Sequence, residues 1–103
     1  MVVLETPTFT RQITRLLDPE GYRLLQLELV DKPQKGPVIP RSGGLRKIRW
    51  QAAARGKRGG IRVIYYWIPD RELILMLLAY PKTVQDDLTS EQRACFAASS
   101  RRS

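Results

Sequence analysis

At 103 residues, 43% of them hydrophobic, the chain has the length of a single domain and enough apolar side chains for its own core. It has no histidine and one cysteine, Cys95, which excludes histidine acid–base or metal chemistry and any disulfide within the chain, and fits a reducing compartment. The net charge of +8 is concentrated: Pro33 to Pro69 holds nine basic residues and no acid, a field suited to a polyanion such as nucleic acid.

Met1–Leu4 suits a short edge strand. It is followed by Glu5 with no positively charged start, so no secretory signal is expected. Thr6-Pro7 reads as a helix N-cap followed by proline at the first helical position, where the missing N–H costs nothing. Phe9, Ile13, Leu16 and Leu17 then form one apolar stripe, while Arg11 and Arg15 share another, solvated face. Asp18-Pro19 repeats the cap-and-proline signature and predicts a second helix over Pro19 to Asp31, stopped by Pro33. Alternation through Leu25, Leu27 and Leu29 also suits a strand; the start signal and the helix-favouring Leu, Gln and Glu decide for helix.

Pro33 to Gly44, rich in proline and glycine, reads as a connector. Three strands are expected after it: Leu45 to Ala52, Ile61 to Ile68 and Glu72 to Tyr80, close enough in sequence for an antiparallel meander. A basic loop from Ala53 to Gly60 and a turn at Pro69-Asp70-Arg71 separate them. The run Leu73 to Tyr80 is far shorter than the ~20 residues needed to span a bilayer, so a soluble, cytoplasmic protein is expected. Thr89-Ser90-Glu91-Gln92 has a capping-box pattern that opens a last helix, and residues 99–103 are expected to fray. The expected fold is α+β in the order β-α-α-β-β-β-α: a small antiparallel-rich sheet with two N-terminal helices on one face, a C-terminal helix, and the other face left available.

Period-two geometry puts Lys47 and Arg49 on one side of their strand and Arg46, Ile48 and Trp50 on the other. On the next strand Ile61, Val63, Tyr65 and Trp67 should meet the helices. Arg62 and Tyr66 would then share the open face with Lys47 and Arg49, with Lys82 just beyond the third strand. Arginine clamps a phosphate with a planar fork, lysine adds a compact charge, and an aromatic ring stacks on a splayed base. Arg46, Arg55, Lys57, Arg58, Tyr66 and Tyr80 are the candidate RNA contacts around this group. Asp86-Asp87 reads as helix-capping carboxylates rather than a metal site, and Gly56, Gly59 and Gly60 lack phosphate-loop spacing. No metal or cofactor is expected.

Two runs, Gly43-Gly44-Leu45-Arg46-Lys47-Ile48-Arg49-Trp50 and Gly59-Gly60-Ile61-Arg62-Val63-Ile64-Tyr65-Tyr66-Trp67, stand ahead of Ala79-Tyr80-Pro81-Lys82 and Asp86-Asp87-Leu88-Thr89. Together they resemble the RelE/HigB toxins of bacterial type II toxin–antitoxin modules, within the wider RelE/ParE-like fold. The resemblance implies a metal-independent mRNA endoribonuclease (an mRNA interferase) that cuts messenger on the ribosome and is silenced by a cognate antitoxin, often one with a helix-turn-helix. It implies catalytic roles for Lys47, Arg49, Arg62 and Lys82, with Lys47 or Lys82 as the base and the arginines on the phosphorane. A C-terminal tyrosine of some relatives is replaced here by Asp86-Asp87-Leu88, so that either Tyr66 or Tyr80 substitutes for it or its role is absent. The alternatives are a ParE-like gyrase inhibitor, which needs no basic cluster, and a non-catalytic RNA-binding module.

Overall fold

A computed structural model describes residues 1–51 and 60–82. In chain order they form β1 (Val2–Glu5), α1 (Pro7–Leu16), α2 (Pro19–Asp31), β2 (Arg46–Trp50), β3 (Ile61–Ile68) and β4 (Leu73–Pro81). The strands make a mixed sheet in the order β1-β4-β3-β2, with β1 parallel to β4 and the other pairs antiparallel. This is the expected α+β order, with the meander in place. The C-terminal helix expected from Thr89 and the loop carrying Arg55, Lys57 and Arg58 lie outside the described residues.

Both helices begin where their caps dictate. The Thr6 hydroxyl accepts from the Phe9 N–H and the Asp18 carboxylate accepts from the Gly21 N–H, with Pro7 and Pro19 in the first turns. The α1 stripe of Phe9, Ile13 and Leu16, continued by Leu17, joins Leu25 and Leu29 of α2 on one sheet face. There they bury Ile48, Ile61, Val63, Tyr65, Ile74, Met76 and Ala79. The parity expected for β3 holds.

The opposite face differs from expectation. Rather than lying open, it carries a second apolar cluster of Ile39, Leu45, Ile64, Leu77, Leu78 and Tyr80, flanked by Tyr66 and Leu75. A one-residue bulge makes this possible. Ile64 pairs with Leu78 but Tyr65 pairs with Met76, so Leu77 is extra. Met76 therefore faces the helices while Leu78 faces the other way, although both are even-numbered. The main-chain groups around the bulge are taken up by α1 and its cap. Thr6 donates its hydroxyl to the Leu77 carbonyl at 3.0 Å, and the Gln12 side-chain oxygen accepts from the Ala79 N–H at 2.8 Å.

The connector is also more than a linker. Ile39 and Leu45 exchange a main-chain hydrogen bond, and Ser42, 1% exposed, holds the turn by accepting from the Leu45 N–H and donating to the Ile39 carbonyl. The Tyr65 hydroxyl, wholly buried, donates to the Pro33 carbonyl at 2.7 Å and accepts from the Gly36 N–H at 2.9 Å. Tyr65→Phe strands both groups and should cost about 1–3 kcal/mol in urea unfolding. Gly36→Ala is expected to be no milder, because its Cβ would stand 2.9 Å from both the Lys47 carbonyl oxygen and the Tyr65 hydroxyl. Wild-type stability in Tyr65→Phe would disprove this account of the connector.

Burial raises the Tyr65 phenol above its ordinary value of 10.0. It raises Tyr22 further, helped by the hydrogen bond that Tyr22 donates to Glu5. Both folded-state values are raised, so their contribution to stability is complete below pH ~10 and is lost as pH rises beyond it. Unfolding free energy should be flat from pH 8 to 9.5 and fall above ~10, by up to about 1.4 kcal/mol per pH unit per group. Tyr22→Phe should flatten that decline; an unchanged slope would show that the phenol does not contribute.

Candidate nucleic-acid interface

The register settles which cations meet. Arg49 pairs with Arg62 across β2 and β3, and Arg62 pairs with Tyr80 across β3 and β4. Antiparallel partners point to the same side. Arg49, Arg62 and Tyr80 therefore form a row across three strands on the face turned away from the helices. Lys47 lies one pleat along, opposite Ile64, and Lys82 follows Tyr80 by two residues, its N–H donating to the Gly60 carbonyl at 3.3 Å. The structure thus gathers Lys47, Arg49, Arg62, Tyr80 and Lys82 at one end of the sheet.

Their exposure is graded. Arg49 and Lys82 are exposed and Lys47 is half-buried, whereas Arg62 is 3% and Tyr80 5% exposed. An open position for Arg62 was expected; instead its side chain lies within the protein. A guanidinium keeps its charge on burial, and lower local polarity strengthens its pull on any anion that reaches it. Arg49 and Arg62 lie side by side across the strands, which concentrates positive charge along the row.

Two expected contacts lie elsewhere. Arg46 points to the helix-covered side, donates to the Gln34 and Gly36 carbonyls and sits 5.8 Å over the Trp67 ring, a structural clamp on the connector. Tyr66 shares the face of Arg62 but lies four residues along β3, about 13 Å away at strand spacing. Its ring packs against the Gly44 turn and the second cluster. Tyr80 is the ring adjacent to Arg62. Reading the connector as a mere link passed over residues 35–40, which border β2 beside Lys47 and Arg49. The signal was there in a lysine followed by two prolines flanking Val38 and Ile39.

No family model matches the sequence. Solved structures do match the fold. A chain of the intact E. coli RelBE toxin–antitoxin complex aligns at 12% identity and TM-score 0.59, over 78% of this chain and 94% of that one. A double arginine mutant of E. coli RelE in the free state aligns at 12% and 0.59, over 95% and 94%. The isolated E. coli RelE toxin aligns at 15% and 0.53, over 98% and 96%. The chain has a RelE-like fold.

Proposed function

We propose that this protein is the toxin of a type II toxin–antitoxin module of the RelE/HigB kind, a cytoplasmic, metal-independent endoribonuclease that cuts messenger on the ribosome and thereby inhibits translation. The observation that carries the reading is the row Arg49–Arg62–Tyr80, with Lys47 and Lys82 beside it, on a RelE-like fold. In the reaction the ribose 2′-oxygen attacks the adjacent phosphorus and the bond to the 5′-oxygen breaks. The 2′-proton passes to a base, the role proposed for Lys47 or Lys82, and the leaving 5′-oxygen takes up a proton from solvent. The products are a 2′,3′-cyclic phosphate and a 5′-hydroxyl. Arg49 and Arg62 stabilise the charge that builds on the phosphorane, and the Tyr80 ring lines the site next to them.

The partner that silences it is a cognate antitoxin that is acidic or carries an acidic segment, often with a helix-turn-helix, and that either covers this cationic end or docks elsewhere and excludes the protein from the ribosome. The test is brief expression followed by mapping of messenger ends, with purified protein added to translating and to empty ribosomes. Cuts within codons that appear only on translating ribosomes, with DNA supercoiling by gyrase unchanged, are expected. Intact messenger with inhibited gyrase would replace this reading with a ParE-like one, and salt-sensitive RNA binding without cleavage would leave a binding module.

A further inference from the structure

Among the described residues β2 is an outer strand of the sheet, and residues 35–40 run beside it, Val38 bridging to Arg46, to enclose a groove of about 510 Å³, within the range of small-ligand sites. Its lining includes Lys35, Pro37, Val38, Pro40, Lys47 and Arg49, with no carboxylate among the described lining residues. The walls are apolar and accessible: Val38 is 50% exposed, and Pro37 and Pro40 are exposed as well. The Lys47 N–H points outward to the Pro37 carbonyl at 3.1 Å. Antiparallel alternation turns the Arg49 N–H and carbonyl to the same outer edge. Lys35 is engaged at 2.8 Å by Glu28 of α2, which offsets its charge.

Saturated proline rings and valine methyls beside cations offer apolar contact to a nucleobase whose phosphate meets the charges. A peptide strand fits less well, because it needs a run of unoccupied edge groups and Pro37 already holds the one at Lys47. We propose that the groove is a second nucleotide subsite, holding the residue of single-stranded RNA next to the linkage gripped by Lys47, Arg49 and Arg62, with its base against Val38, Pro37 and Pro40. The inference rests on the ribonuclease reading and adds to it a platform that fixes the substrate on one side of the cut.

The test is fluorescence anisotropy with a labelled, uncleavable six-nucleotide RNA carrying 2′-O-methyl groups. Val38→Glu should weaken binding about fivefold or more, and Val38→Lys should tighten it by a similar factor. Glu28→Gln, which releases Lys35, should also tighten binding. Thermal unfolding checks that each variant folds, and Val38→Lys with Glu28→Gln carry the test if Val38→Glu does not. Wild-type affinity in the folded Val38 variants overturns the subsite, even if messenger is still cut. Binding that follows these charges in a protein that never cuts messenger keeps the groove and removes the nuclease reading.

Discussion

Arg62→Ala should lower messenger cleavage on translating ribosomes by about 10²–10³-fold, the scale of removing one preorganised donor from a charge-stabilising site. Arg62 combines features that make its charge count. It is central in a three-strand row, it is 3% exposed, and its neighbours across the strands are Arg49 and Tyr80. Water screens it poorly, so in the proposed reaction its interaction with developing phosphorane charge would exceed that of a surface arginine. Truncation at a buried position also leaves space. Arg62→Gln, closer in volume, should therefore lose activity to a similar extent, with thermal unfolding confirming that both variants fold. Arg49→Ala, at an exposed position, should cost less activity and little stability. Full cleavage by a folded Arg62→Ala protein would place the chemistry elsewhere.

The largest expected loss of stability from a single methyl group is at Gly60. Its φ is +69°, in the left-handed region, and an added Cβ would come under 3.0 Å from the Trp50 carbonyl oxygen, a main-chain atom that cannot swing aside. The left-handed conformation costs an alanine about 1–2 kcal/mol. Displacing the β2 backbone adds to this, so Gly60→Ala should lose about 3 kcal/mol or more in urea unfolding. Since Gly60 leads into β3 two residues before Arg62, surviving folded protein should also cleave less. A variant as stable as wild type would mean that the β2–β3 junction adapts more readily than its geometry indicates.

Much of this architecture was legible in the sequence because it rests on local rules. Thr6-Pro7 and Asp18-Pro19 announce helix starts through the hydrogen bonds their side chains make, and β3 alternates cleanly enough to reveal its helix-facing side. The placement of Lys47 and Arg49 together follows from period two alone. What escaped depends on contacts between distant segments. β4 is apolar at every position from Leu73 to Ala79, so nothing in it marks Leu77 as the bulged residue. The second cluster needs Ile39 and Leu45, which look like connector residues until the fold sets them under Ile64 and Leu78. The clamp made by Arg46 likewise depends on carbonyls ten and twelve residues back.

The strand that completes the sheet is made long after the one it joins. Thr6 donates to the carbonyl of Leu77, 71 residues later, and β4 lies between β1 and β3. At about 5–20 residues per second, between about 4 and 14 s of synthesis separate the two partners. Until residues 73–81 clear the exit tunnel, Arg62 has no Tyr80 beside it and the Arg49–Arg62–Tyr80 row is incomplete. The cationic row thus exists only once the last described strand has been made, and any activity that depends on it cannot begin earlier in synthesis.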